Sequence, residues 1–111
     1  MVRVVKRKLV VYVPAEALEN VRDALFTAGA GRIGDYEHCA WYAAGTGSFL
    51  AREGAKPSVG EVGQEQRIVE YRLETVYPRE LEVEVLRALR ESHPYEEPAF
   101  DIYEPLEPER C

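Results

Sequence analysis

Apolar and polar positions change their period along the chain, and each change marks an element. Residues 3–13 alternate in twos: Val5, Leu9, Val11 and Val13 share one parity, Lys6, Lys8, Val10 and Tyr12 the other. Both parities turn apolar after Lys8, which predicts a central strand. From Pro14 the spacing lengthens. Leu18, Val21 and Leu25 recur at helical intervals with Ala17, Ala24 and Ala28 beside them, and Gly29 supplies the stop, so a helix is predicted over 15–28. Residues 35–44 alternate again, with Tyr36, His38, Ala40 and Tyr42 opposed to Glu37, Cys39, Trp41 and Ala43; alternation alone leaves open which set is buried. A third strand over 67–77 sets Val69, Tyr71, Leu73 and Tyr77 against Glu70, Arg72 and Glu74. Pro78 then opens a helix over 79–91, with Glu80 and Glu82 in its first turn and Leu81, Val85, Leu86 and Leu89 as the inner stripe. Pro94 closes it, and 99–104 form the last strand.

The predicted order is β-α-β-β-α-β. Two right-handed βα crossovers in that order give an α+β, ferredoxin-like arrangement: an antiparallel four-stranded sheet with both helices on one face. Strands one and three are then central, strands two and four lie at the edges, and strand four sits beside strand one. The basic opening (Arg3, Lys6, Arg7, Lys8) is thereby expected to meet Asp101 and Glu104.

Two stretches stand out from this frame. The connection over 45–64 has about twenty residues where hairpins use two to five. Ser48–Ala51 and Ser58–Val62 pair as a small ribbon on one reading; on the other, the segment receives a ligand or partner, with Gly45, Thr46, Gly47 and Ser48 as candidate contacts. Gly45-Thr46-Gly47 bares backbone N–H groups to an anion only weakly, since no helix follows it. The second stretch is Ser92-His93-Pro94-Tyr95-Glu96-Glu97-Pro98. Pro94 biases His93 to extended backbone and Pro98 suits a strand start, so this is a stiff helix-to-strand elbow. Either His93 is simply hydrogen-bonded within it, or His93, Tyr95, Glu96 and Glu97 face a ligand or a neighbouring subunit.

Composition bounds the function. At 111 residues, with 46% hydrophobic and 31% charged positions, the chain is expected to form one globular domain over 1–111. A net charge of −6 argues against nucleic acid as a partner. No apolar run approaches the roughly 18 residues of a membrane helix, and the run after the basic start is too short for a signal peptide, so a cytoplasmic protein is expected. Cys39 and Cys111 fit no metal or disulfide pattern.

Catalytic constellations are missing from the pattern. Ser48, Ser58 and Ser92 lack a nucleophile elbow or a paired His and acid, so no enzymatic activity and no cofactor are expected. The one weak metal candidate is a divalent-cation site drawn from His93, Glu96, Glu97 and His38. A sheet covered on one side leaves Val10, Tyr12 and the aromatic residues of strand two on the other face, and both edges open, which predicts a homo-oligomer.

Several runs also resemble a known family. Gly31-Arg32-Ile33-Gly34-Asp35-Tyr36-Glu37-His38-Cys39, Gly45-Thr46-Gly47-Ser48-Phe49, Glu53-Gly54-Ala55-Lys56-Pro57 with Gly60, Glu70-Tyr71-Arg72-Leu73-Glu74, and His93 to Tyr103 resemble, in that order, the domain inserted in YqfO proteins of the Nif-three-like group. The His-Pro-Tyr-Glu elbow is also similar to that of CutA-type cation-tolerance proteins. The resemblance implies a PII/CutA-like module, here standing alone, whose loop over 45–64 takes the place of an effector loop for a small molecule or protein. It places a trimer ahead of a dimer and sets His93 near a subunit boundary. It does not carry over the Nif-three-like metal site, whose motifs are absent here. A non-enzymatic binding or regulatory module is thus the leading expectation, with a CutA-like divalent-metal protein and a purely structural oligomerisation domain as alternatives.

Overall fold

The computed structural model describes residues 5–106; the expected start of the first strand at residue 3, with Arg3, and Cys111 lie outside them. Strand β1 (Lys6–Pro14) pairs antiparallel with β3 (Glu65–Pro78) on one side and β4 (Phe100–Tyr103) on the other. Strand β2 (Ala40–Leu50) pairs with β3, giving the order β2-β3-β1-β4. Helices α1 (Leu18–Thr27) and α2 (Glu82–Ser92) pack on one face of this sheet. The α+β, ferredoxin-like arrangement read from the sequence is the observed one.

Odd-numbered positions of β1 and β3 make the core because the helices cover that parity. Leu9, Val11, Val13, Leu73 and Tyr77 close against Leu18, Val21, Leu25, Val85 and Leu89, all buried. The rim is satisfied electrostatically: Tyr77 donates to Glu82 Oε1 at 2.7 Å, and Arg7 grips both Glu82 oxygens. Burial and the Glu82 carboxylate push the Tyr77 phenol well above its ordinary range. The basic opening therefore pairs differently from expectation. Arg7 takes Glu82 and Lys8 takes Glu74, because register brings Lys8 beside Val76 and Tyr103 instead of an acid.

Boundaries shift where proline and glycine act. Pro14 and Pro78 have extended backbone (ψ 151° and 139°) and end strands; one 3-10 turn follows each before its α-helix begins. Gly29, at φ 110°, ends α1 as expected. The largest correction concerns β2, which starts at Ala40 instead of residue 35. Ile33 and Tyr36 close a tight turn, His38 sits at φ 58°, and Cys39 N–H bonds back to Gly31, so residues 31–39 form a knot outside the sheet. In compensation β2 runs on to Leu50: Gly45–Leu50 pair with Glu70–Glu65, in place of the expected Ser48–Ala51 and Ser58–Val62 ribbon. Thr46–Leu50 and Glu65–Val69 pass the end of β1 and project as a two-stranded arm, its tip closed by residues 51–64.

Candidate functional site

The elbow after α2 is a set of struts. The helix stops at Ser92 because His93 turns extended (φ −82°, ψ 133°) ahead of Pro94. His93 is buried. Its Nε2–H donates to the Tyr12 carbonyl at 2.8 Å, and Nδ1 accepts the Tyr95 N–H at 3.2 Å, so the ring is neutral and both nitrogens are engaged. Burial lowers the His93 pKa below its ordinary 6.5, against smaller upward pulls from the Tyr12 carbonyl and Glu70. The Tyr95 hydroxyl donates to Glu70 Oε2 at 2.9 Å, reaching β3 at the root of the arm, and burial with this bond raises its pKa. Glu96 accepts the Lys56 N–H at 3.1 Å, which ties the arm's tip to the elbow. Glu97 is exposed.

Tyr95→Phe tests the middle strut: losing the bond to Glu70 is expected to cost about 1 kcal/mol. Urea unfolding reads it, and an unchanged midpoint would show that the strut contributes nothing.

On the sheet face away from the helices lies a groove of about 470 Å³. Its floor is the column Trp41, Ala43, Gly45, Gly47 of β2, which register sets opposite Glu74, Arg72, Glu70 and Ile68. Tyr12, Glu70 and Arg72 form the far wall. Arg72 donates to Glu74 at 2.8 Å and to the Tyr12 hydroxyl at 3.3 Å. Lys8, then Arg72, hold the Glu74 carboxyl below its usual range, and Glu74 raises that of Arg72. The middle of this face is thus a charged ladder over the buried Val10, and its exposed aromatics, Trp41 and Tyr103, stand at the two edges.

Glu70 joins the two candidate stretches. One oxygen takes Tyr95 of the elbow, and the other lies where a Cβ on Gly47 would stand, 1.8 Å away. Gly45, Thr46, Gly47 and Ser48 all line the groove, but as strand residues, not as a loop of bare N–H groups. His38 is separate: its ring stacks on Phe26 at 4.7 Å, in a segment anchored at Thr75 and Val76. His93 is fastened to Tyr12, which pairs with Arg72, so roughly 10 Å of strand separates the two attachments. Among the described residues no three His, Cys, Asp or Glu side chains are grouped to hold a metal ion. Tyr12, Trp41, Glu70 and Arg72 were not singled out as site residues. Their signal was parity, visible only if strand two is carried through its glycines.

Order and topology are those of the PII/CutA-like, ferredoxin-like fold. Solved structures agree on the fold: the periplasmic divalent cation tolerance protein CutA from Archaeoglobus fulgidus gives a TM-score of 0.67 at 17% identity, over 95% of this chain and 87% of that one. Bacillus subtilis GlnK gives 0.58 at 12%, over 90% and 84%. Sequence narrows the class. A Bacillus cereus protein related to NIF3 gives a TM-score of 0.80 at 43% identity, covering 93% of this chain and 26% of that one. The GTP cyclohydrolase 1 type 2 homologs of Mycobacterium tuberculosis and Bacillus subtilis are 58% and 56% identical over 96 and 97 residues, 86% and 87% of this chain. No protein-family model matches. Over most of its length the chain is thus similar to one segment of these NIF3/YqfO-family relatives, and it spans about a quarter of their length.

Proposed function

We propose that this domain is a non-enzymatic binding or regulatory module of PII/CutA type that assembles with copies of itself in the cytoplasm. The supporting observation is how the elbow uses its polar groups. His93, Tyr95 and Glu96 hold Tyr12, Glu70 and Lys56, three points along one edge of the arm and its root. Groups arranged as struts transmit position, whereas a reaction centre or metal site needs a free lone pair, which the His93 ring does not keep. A small-molecule or protein effector that moves the 51–64 tip would pull on Glu96 and hence on the end of α2. The relatives' name speaks of GTP cyclohydrolase; we assign any such activity to the three quarters of those proteins outside this segment.

Sedimentation equilibrium at micromolar concentration, with chromatography of GTP incubated with the chain, tests both halves. The expected result is a closed homo-oligomer, a trimer ahead of a dimer, with GTP unchanged. A 12.6 kDa monomer overturns the assembly, and GTP consumption overturns the non-enzymatic reading. Tight copper or zinc uptake in calorimetry, lost in Glu96→Gln/Glu97→Gln, would replace it with a metal-binding role.

A further inference from the structure

We infer that a small-anion site lies at the end of the sheet away from the arm, and that it takes a short aliphatic monocarboxylate. It depends on neither the assembly nor the arm proposed above. A cleft of about 120 Å³ opens there, between the stop of α1 at Gly29 and the turn that leads into α2. Lys6 pairs with Pro78 at this end of β1, whereas the arm leaves β3 beyond Glu70 at the other. The walls are largely apolar. Val76, Tyr77, Pro78 and Leu81 line the cleft, and the one polar atom of the Tyr77 side chain is turned to Glu82. Two cations, Lys6 and Arg32, stand on the same lining.

Both cations start from fixed backbone. Gly31 donates to the Val76 carbonyl at 2.8 Å and accepts the Cys39 N–H at 2.8 Å, so Arg32 leaves a main-chain clamp beside the end of β3. Register holds Lys6 opposite Pro78. Gly29 closes the third side: a Cβ on it would stand 2.5 Å from Leu81 Cδ1, so any larger residue would displace that wall.

Charge is unbalanced here. Arg7 is held by Glu82 and Lys8 by Glu74, but Lys6 and Arg32 make no ion pair with another described residue. Glu80, in the adjoining turn, is not on the lining. In a chain of net charge −6, two cations on one apolar cleft call for an anion from outside.

Size and wall chemistry choose among anions. Nucleotides need pockets of about 300–1,000 Å³. The cleft equals the liquid volume of about four waters, which suits a tail of three or four carbons. Inorganic phosphate would lose water against carbon walls that return no hydrogen bond. A neutral alcohol would leave both cations unused. A carboxylate offers a planar head to the Arg32 fork with Lys6 as a point charge, and lays its tail on Val76, Pro78 and Leu81.

Amide spectra of the isotope-labelled chain, titrated with sodium butanoate against sodium chloride of equal ionic strength, read this site. The amides of Gly29, Gly31 and Arg32 should move saturably, with a dissociation constant on the order of 1 mM, while Gly54 and Gly60 at the arm's tip stay still. Butan-1-ol and inorganic phosphate should not saturate them. The double variant Lys6→Gln/Arg32→Gln alters side chains outside the core, so it should keep the melting temperature and raise the butanoate dissociation constant at least about tenfold. Arg79→Gln, in the adjoining turn but off the lining, should leave that constant unchanged. Absence of saturable movement overturns the site. So does equal binding of the alcohol or of phosphate, an affinity unchanged in the double variant, or an equal loss in Arg79→Gln. Each of these results leaves the elbow, the arm and the assembly standing.

Discussion

Alanine at position 93 is expected to destabilise the domain by about 3 kcal/mol, lowering its melting temperature by roughly 15 °C. Three losses combine: the bond to the Tyr12 carbonyl, the acceptor for the Tyr95 N–H, and the buried ring that packs against Tyr95 at 4.8 Å. A buried donor or acceptor left unpaired costs about 1–3 kcal/mol, more than the net worth of the bond itself. The wild type should also show a pH limb. Burial holds the folded pKa of His93 below 6.5, so on acidification the unfolded chain takes up a proton before the folded one does. The histidine's contribution is complete above about 6.5 and is lost as pH falls through that value towards the folded pKa. Urea unfolding at pH 7.5 and 5.5 measures it: the wild type weakens, and His93→Gln weakens less. Equal losses in the two proteins would show that His93 is not the group responsible.

Leu73→Ala should cost about 3 kcal/mol, within the usual range of about 2–5 for a buried leucine. Leu73 is 1% exposed at the centre of β3, between Val11 and Tyr42, where neighbouring strands prevent collapse around the missing methyls. The control lies four residues away on the same strand and parity. Val69, on the arm, is beyond the helices, and Val69→Ala should stay within about 0.5 kcal/mol of wild type when the protein is dissociated. Urea midpoints at low protein concentration separate the two. Similar costs at both positions would mean that the arm is packed as firmly as the core.

The sequence pattern was informative wherever one periodicity had one cause. Leu18, Val21 and Leu25 repeat at helical spacing because a helix lays one stripe on the sheet, and all three are buried there. Val85 and Leu89 behave likewise in α2. The pattern failed at strand two, where Tyr36 and His38 alternate like strand residues but belong to a turn stacked on α1. Gly45-Thr46-Gly47 failed in the opposite direction. Glycine reads locally as loop, yet β3 continues to Glu65 and supplies a strand partner opposite each of these residues. At the candidate site, the elbow was legible from its prolines. The groove was not, because Glu70 meets Gly47 and Tyr95 only across the sheet.

By itself the sequence determined the order of elements, the two helical faces, the central place of β1 and the elbow at His93. Each depends on spacing within a dozen residues, over which backbone sterics and burial of one face act. Tertiary structure alone decided where β2 begins and ends, which acids the basic opening meets, and how His93 spends its two nitrogens. Those outcomes depend on partners brought up from distant parts of the chain: Glu65–Glu70 for the glycines, Glu74 and Glu82 for Lys8 and Arg7, and the Tyr12 carbonyl for the ring. A carbonyl is carried by every residue, so no side-chain pattern could have marked that one as the acceptor.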